Sequence, residues 1–288
     1  MVAFVILLSS GITKEKGKEI HMYGAILGDI IGEPYEWHNL KSKVFPLFGV
    51  HADFTDDSVM TIAVAQALMM AGECGSTDDE KVTKDLIIDC MHKWGRKYPN
   101  AGYGGRFLQW LKYKEREPYN SWGNGSAMRV SSVGWLYDDL DTVRRISAWT
   151  AEVTHNHPEG VKGAESVAAA IFLARKGCSK EEIKEYVVKE FGYDLDRTCD
   201  EIRPGYKFDV SCQGTVPEAV TAFMEGNDFE DVIRNAVSLG GDSDTLAAIA
   251  GSIAEAYYGV PEELKRRCEQ ILTKELKEVV LEFAELYQ

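Results

Sequence analysis

The 288-residue sequence contains no apolar run that approaches the roughly 20 residues a membrane-spanning helix needs. It has 8 prolines and 26 glycines, too few for a fibrous or largely disordered chain. Basic residues are also in the minority, because 32 lysines and arginines face 46 aspartates and glutamates, for a net charge of −14. An acidic surface repels phosphate backbones and anionic lipids, so we expect neither nucleic acid nor membranes as partners.

Cysteine is sparse as well, and its six copies are scattered with no CxxC pair. This spacing argues against a zinc site or a disulfide framework and indicates reduced thiols in a cytoplasmic protein. The apolar stretch at 2–8 does not match a signal peptide, because no Lys or Arg precedes it and no small-residue cleavage site follows. We interpret residues 1–21 as a disordered extension or the product of an upstream start codon, ahead of one domain over 22–288.

What the sequence does contain is helical periodicity. The stretch 59–70 is apolar on nearly every side and predicts a buried helix. Apolar residues at helical spacing from Leu246 to Tyr257 predict another, and a similar stripe from Leu264 to Phe283 predicts one last helix. Strand signals are weak, and we find no repeat and no linker. We therefore predict an all-α fold in a single domain, with the irregular stretch 190–214 at the surface.

Two acidic clusters each stand directly before a strongly apolar helix. Asp, Ser and Thr often cap helix N-termini, and capping is the plainest interpretation of either cluster alone. A cap needs one oxygen, however, whereas each cluster offers three or more, including two aspartates and a threonine. The clusters are Phe54-Thr55-Asp56-Asp57-Ser58 and Gly240-Gly241-Asp242-Ser243-Asp244-Thr245.

If the two helix starts meet, four carboxylates converge. Like charges so close together cannot all stay ionised without a counter-cation. Carboxylate and hydroxyl oxygens are hard ligands, which favour Mg²⁺ or Mn²⁺ over zinc or copper. Four carboxylates suit two such ions better than one.

A third acidic segment, 28–36, ends in Glu36. Pro34 predicts that the helix ends after Gly32, which places Glu36 on a loop beyond it. A carboxylate there is either an ordinary solvated residue or, beside a metal pair, a group that holds or deprotonates a water molecule. Asp29, in the same segment, either supports the site or caps its own loop.

Together with further segments, these motifs resemble the ADP-ribosylglycohydrolase family, which includes the dinitrogenase reductase-activating glycohydrolase. Each segment is weak evidence alone, but five in the same order are specific and cover nearly the whole chain. The segments are Gly24-Ala25-Ile26-Leu27-Gly28-Asp29 with Gly32, Pro34 and Glu36; Phe54 to Ser58; Gly123-Asn124-Gly125-Ser126-Ala127-Met128-Arg129; Thr154-His155-Asn156-His157-Pro158; and Gly240 to Thr245.

The resemblance implies an orthogonal helical bundle with a binuclear Mg²⁺ (or Mn²⁺) site in a central cleft, and Glu36 as the catalytic residue. In the family's chemistry the distal ribose of an ADP-ribosyl group is held at the metal site while water displaces the linked residue at the anomeric carbon. The substrate would be an ADP-ribosylated protein, with arginine as the first candidate for the modified side chain, or a small ADP-ribosyl compound. The implied metal ligands are Thr55, Asp56 and Asp57 on one side and Asp242, Asp244 and Thr245 on the other.

The resemblance also implies the residues that contact substrate. The family's diphosphate-contacting loop corresponds to Ser121, Trp122, Gly123, Asn124 and Gly125. A glycine-rich loop lets backbone N–H groups approach phosphate oxygens, and the serine adds a hydroxyl. The tryptophan either stacks on the substrate or is an ordinary core aromatic.

The HxH pair that follows divides into two roles. By the resemblance, His155 contacts substrate, and we interpret His157 as structural. The stretch 190–214 carries no family motif, and we expect it at the pocket mouth.

Three other classes fit less well. Helical diphosphate synthases carry a DDxxD motif, and the third aspartate is missing after Asp57. Helical phosphohydrolases carry an adjacent His-Asp pair, which this sequence lacks. A catalytically weak ADP-ribose-binding protein remains an alternative, but we would expect such a protein to have lost an aspartate of the clusters or the glutamate at 36.

Overall fold

Helices supply all the regular structure of residues 22–286, the part of the chain that the computed structural model describes. The all-α prediction is therefore confirmed, while the predicted N-terminal extension lies outside the described residues. The helices are α1 (Tyr23–Glu36), α2 (Asp56–Glu73), α3 (Glu80–Lys97), α4 (Gly105–Tyr113), α5 (Gly125–Met128), α6 (Ser131–Leu136), α7 (Leu140–Glu152), α8 (Pro158–Arg175), α9 (Lys180–Phe191), α10 (Cys199–Ile202), α11 (Cys212–Glu225), α12 (Phe229–Leu239), α13 (Ser243–Tyr258), α14 (Glu262–Ile271) and α15 (Lys274–Glu285).

Helix α13 is the centre of the bundle. It contacts α1, α8, α11 and α12, and its residues from Ser243 to Ala256 are all buried. Leu246, Ile249 and Ile253 form the apolar stripe that the sequence predicts, and each is fully buried. Small residues fill most of the other faces, which allows neighbouring helices to approach α13 from several sides. Helix α2 is likewise buried on nearly every side, as predicted.

Helices α1 and α13 approach so closely that side chains are excluded between them. Gly24, Gly28 and Gly32 recur every four residues and lie on one face of α1. A Cβ on Gly28 would lie 2.1 Å from the carbonyl oxygen of Ala247, and one on Gly32 would lie 2.5 Å from the Cα of Asp244. The two helices run antiparallel, so the end of α1 lies beside the start of α13.

This contact predicts a large stability effect for one methyl group. We expect Gly28→Ala to lower the free energy of unfolding by about 3 kcal/mol, because the new Cβ overlaps a backbone carbonyl that has no room to move. Gly72→Ala is the matched control, because a Cβ at this helical glycine meets no atom within 4 Å. It should be neutral or stabilise by about 0.5–1 kcal/mol. Urea unfolding of both variants tests this, and equal stabilities would contradict the close packing.

The predicted end of α1 after Gly32 is wrong, because the helix continues through Pro34 to Glu36. A proline removes one backbone hydrogen bond, but its fixed φ is compatible with a helix. Packing of α1 along α13 keeps the last turn helical at this position. Glu36 is therefore held by a helix and does not lie on a loop.

The single last helix is also a wrong prediction. The apolar stripe continues from α14 into α15, but the backbone is extended at Leu272 and Thr273 between them. The hydroxyl of Thr273 is hydrogen bonded to the phenol of Tyr98, which fixes the break against the end of α3. Apolar periodicity could not show this break, because Cys268 and Leu276 on its two sides are both buried. Every helix within residues 22–286 is too short or too polar to span a lipid bilayer.

Candidate active site

The starts of α2 and α13 meet inside the bundle. The Thr245 hydroxyl, at the start of α13, donates a hydrogen bond to Oδ2 of Asp57, at the start of α2, over 3.3 Å. Beside this contact, one carboxylate oxygen each of Glu36, Asp242 and Asp244 lies within 4.8 Å of the other two. The two acidic clusters, far apart in sequence, therefore form one site with the end of α1.

This site opens into a cavity of about 560 Å³, within the usual size range of small-molecule sites. All but one of the residues that the sequence and the resemblance select line this cavity. They are Glu36, Thr55, Asp56, Asp57, Ser121, Gly123, Asn124, Gly125, His155, Asp242, Asp244 and Thr245.

Trp122 is the exception. Its side chain is 52% exposed and packs edge-on against His157 rather than lining the cavity. It is therefore not a core aromatic, and this structure does not place it where it would stack on a molecule in the cavity. His157 itself accepts a hydrogen bond from the backbone N–H of Glu159 and caps α8, which fits its interpretation as a structural residue.

Capping does not explain the four aspartates of the two clusters. Helix α2 is capped by the Thr55 hydroxyl and by Asp29, whose Oδ2 accepts from the backbone N–H groups of Thr55 and Ser58 at 2.9 and 3.0 Å. Oδ1 of Asp29 also accepts from the Thr55 hydroxyl at 2.7 Å. At α13, Asp242 occupies the cap position but makes no side-chain capping hydrogen bond. Asp29 thus supports the first cluster, and the cluster aspartates face the cavity instead.

The site carries more negative charge than its surroundings compensate. Burial, followed by repulsion from neighbouring carboxylates, raises the pKa of Asp57 and of Asp244 well above the ordinary value. The same causes raise the pKa of Asp56 to about 8. Oδ1 of Asp57 and Oδ1 of Asp244 are also buried without any hydrogen-bond donor among the described residues. Buried, unpaired carboxylate oxygens of this kind fit a hard divalent cation such as Mg²⁺ or Mn²⁺.

Glu36 belongs to the same cluster of carboxylate side chains. Burial, then repulsion from Asp242, raises its pKa to about 7. Its position among Asp242 and Asp244 adds it to the candidate metal ligands, a role that sequence reasoning did not assign. The signal was present, because Glu36 follows Gly32 by four residues and so continues the α1 face that contacts α13.

The glycine-rich loop is tied directly to the acidic site. Nδ2 of Asn124 donates to Oδ2 of Asp242 at 2.6 Å and to the Thr215 hydroxyl at 3.0 Å. Its backbone N–H donates to the carbonyl of Val210 at 2.7 Å. Asn124 therefore uses these donors within the protein, and its side chain ties the glycine-rich loop to the start of α13.

The cavity mouth includes aromatic residues that sequence reasoning missed. Trp37 stacks on Phe208 with ring centroids 5.1 Å apart, and both line the cavity. Phe208 belongs to the stretch 190–214, so the expectation that this stretch lies at the pocket mouth agrees with the structure. The stretch is not wholly at the surface, however, because Leu195 and Ile202 are buried. The aromatic Trp37 beside Glu36 was an available but weak signal.

Comparison with known proteins shows the family to which the chain belongs. A sequence model of the ADP-ribosylglycohydrolase family matches residues 21–288. ADP-ribosylhydrolase ARH3 of Mus musculus is 28% identical over 85% of each chain. ADP-ribosylarginine hydrolase Tri1 of Pseudomonas putida is 26% identical over 83% of this chain and 70% of its own. A solved structure described as an ADP-ribosylglycohydrolase-related protein complex superposes with a TM-score of 0.64 at 25% identity, covering 93% of this chain and 98% of that chain.

The chain therefore belongs to the ADP-ribosylglycohydrolase family. It is a hydrolase that acts on ADP-ribosyl groups, and the predicted enzyme class is confirmed.

Proposed function

We propose that this enzyme is a metal-dependent hydrolase that cleaves the bond between ADP-ribose and a modified amino-acid side chain. The observation that carries the proposal is the direct contact of two acidic helix starts, Thr245 with Asp57, inside a cavity that a glycine-rich loop also lines. Arginine-linked ADP-ribose is the first candidate substrate, since the relative Tri1 is an ADP-ribosylarginine hydrolase. The six free thiols support the cytoplasm as its compartment.

The residues of the two helix starts would hold two Mg²⁺ ions, or Mn²⁺ in their place. Support comes from the all-oxygen donor set and from the buried Oδ1 atoms of Asp57 and Asp244 that lack a hydrogen-bond donor. When bound, such ions supply positive charge to substrate oxygens and lower the pKa of a bound water. The proposed ligands are Thr55, Asp56, Asp57, Asp242, Asp244 and Thr245, and a carboxylate oxygen of Glu36 lies within 4.8 Å of one each of Asp242 and Asp244.

Within this proposal Glu36 is the catalytic residue. It stands at the end of α1 and lines the cavity, so its carboxylate is within reach of a water molecule there. Its carboxylate accepts a proton from the water that attacks the anomeric carbon, the bond from this carbon to the modified side chain breaks, and the proton then passes to the released side chain. His155 and the loop of Ser121, Gly123 and Gly125 hold the substrate on the wall that they form.

The test is release of free ADP-ribose from arginine-linked and serine-linked ADP-ribosyl peptides, each with Mg²⁺ and with a chelator. We expect Mg²⁺-dependent release, faster from the arginine linkage. Metal-dependent binding of ADP-ribose without release from either peptide would favour the alternative of a catalytically weak ADP-ribose-binding protein. Neither binding nor release would contradict the proposal altogether.

A further inference from the structure

Arg129 is a buried cation that forms no ion pair with any carboxylate in the described part of the chain. It lies in the cavity wall with 1% of its surface exposed, and no carboxylate of the described residues lies within ion-pair distance. Its Nη2 donates one hydrogen to the carbonyl of Thr150 at 2.8 Å and another to the hydroxyl of Thr154 at 2.9 Å. A buried guanidinium held by such neutral acceptors is fixed in orientation, because both hydrogens of that nitrogen are used.

The Thr154 hydroxyl connects Arg129 to His155 by hydrogen bonds. A hydroxyl has one hydrogen to donate, and the bond from Arg129 occupies a lone pair of its oxygen. Nδ1 of His155 lies 2.7 Å from the same oxygen. It is the one atom of the described residues within hydrogen-bond distance that can accept the hydroxyl hydrogen, so Thr154 donates to Nδ1.

A neutral imidazole that accepts at Nδ1 carries its hydrogen at Nε2. His155 is neutral, because burial, and then the charge of Arg129, hold its pKa well below the ordinary value. Nε2 points at the glycine-rich loop, since a Cβ on Gly125 would lie 3.2 Å from it and one on Gly123 would lie 3.4 Å from it. No described residue accepts the Nε2 hydrogen, which is therefore available to a molecule in the cavity.

We propose that Arg129 and Thr154 are positioning residues that fix His155 as the Nε2–H tautomer, so that this N–H donates to an anionic oxygen of the substrate beside the glycine-rich loop. The other tautomer would present a nitrogen lone pair to that oxygen and repel it. This inference rests on the proposed function for the nature of the substrate, whereas the tautomer itself is a property of the protein alone.

The direct test is ¹⁵N NMR of the histidine rings in the full-length, substrate-free protein at neutral pH. We expect His155 to be the Nε2–H tautomer in the wild type, with its signal assigned by its loss in His155→Gln. Thr154→Val removes the hydroxyl without changing side-chain volume, and should shift His155 towards a mixture of tautomers. Thr154→Ser should restore it. His92 is the internal control, because its Nε2 is hydrogen bonded to the carbonyl of Glu115 at 2.8 Å and should not change.

Measurement of substrate binding and of steady-state kinetics is the second test. Thr154→Val should weaken ADP-ribose binding and raise KM about tenfold with kcat little changed, and Thr154→Ser should recover most of the loss. Thr154→Ala replaces the valine variant if that variant does not fold. An Nδ1–H tautomer in the wild type, an unchanged tautomer in Thr154→Val, or a shifted tautomer with unchanged affinity would each overturn the inference. A wild type that fails to bind ADP-ribose overturns the substrate half together with the proposed function, while NMR still decides the tautomer.

Discussion

Asp57→Asn is expected to lower kcat/KM for ADP-ribose release by about 100-fold or more, because it replaces a proposed metal ligand at the contact of the two helix starts. The asparagine has nearly the same shape and can still accept the hydrogen bond from Thr245 through its amide oxygen. The fold should therefore survive, and the loss should come from weaker metal binding. Steady-state kinetics over a range of Mg²⁺ concentrations measures both effects.

In the absence of metal, Asp57→Asn should stabilise the folded protein, whereas most substitutions of buried residues destabilise it. In chelator, the Asp57 carboxylate is buried among other carboxylates, and its pKa is raised well above the ordinary value. Because this pKa is higher in the folded state than in the unfolded state, the contribution of the Asp57 carboxyl group to stability is full below its unfolded-state pKa. This contribution is lost as the pH rises through its folded-state pKa. At neutral pH the chelator-treated variant should therefore unfold at a higher temperature than the wild type, and Mg²⁺ should stabilise the wild type more than the variant.

Asp53→Asn is the matched control for this prediction. Asp53 is exposed, lies in the same segment and does not line the cavity. Among residues 22–286, its carboxylate accepts a hydrogen bond only from the adjacent backbone. Its kinetics and Mg²⁺ response should equal those of the wild type. The interpretation of Asp57 as a ligand would be wrong if Asp57→Asn kept wild-type activity, or if chelator made it less stable than the chelator-treated wild type.

Glu36→Gln should lower kcat by about 10²–10⁴-fold, the range attributed to a general base or acid. The amide keeps the shape of the side chain but cannot take a proton from water. If proton transfer is its main role, KM and the affinity for Mg²⁺ should change far less than kcat. Pre-steady-state and steady-state rates, combined with Mg²⁺ titration of the same protein, separate the two roles.

Glu33→Gln serves as the control, since Glu33 lies one turn earlier in α1 and outside the cavity lining. It should retain kcat within about threefold. A Glu36→Gln enzyme with kcat close to the wild-type value would remove Glu36 from the mechanism. A parallel collapse of Mg²⁺ affinity would instead assign it mainly to metal binding beside Asp242 and Asp244, as their proximity allows.

The two acidic clusters could be identified from the sequence because their composition is local, whereas the sequence left open whether the two helix starts meet. Two aspartates and a threonine at each of two helix starts exceed what capping requires, and this excess of charge is the reason that the sequence predicts a common site. The burial of α2 on nearly every side and the core stripe of α13 were predictable for a similar reason, since the distribution of apolar residues along a helix indicates which sides are buried.

The features that the sequence did not predict correctly depend on contacts between distant segments. Pro34 lies inside α1 because packing on α13 outweighs the local preference of proline. The break between α14 and α15 depends on Tyr98, which is remote in sequence. The stacking of Trp37 on Phe208 could not be predicted either, because Phe208 comes from an irregular stretch without a motif. The hydrogen bonds that join Arg129, Thr154 and His155 depend on side-chain geometry that no sequence pattern predicts.

The central claim is that two acidic helix starts form one site for a pair of divalent cations. Titration of chelator-treated protein with Mn²⁺, followed by isothermal calorimetry, tests it most directly in the wild type and in Asp242→Asn. We predict that the wild-type chain binds two ions. The Asp242→Asn variant should bind fewer ions, or bind them much more weakly, because residue 242 lies beside both Glu36 and Asp244. Failure of the wild type to bind Mn²⁺, or identical titrations of the two proteins, would contradict the account.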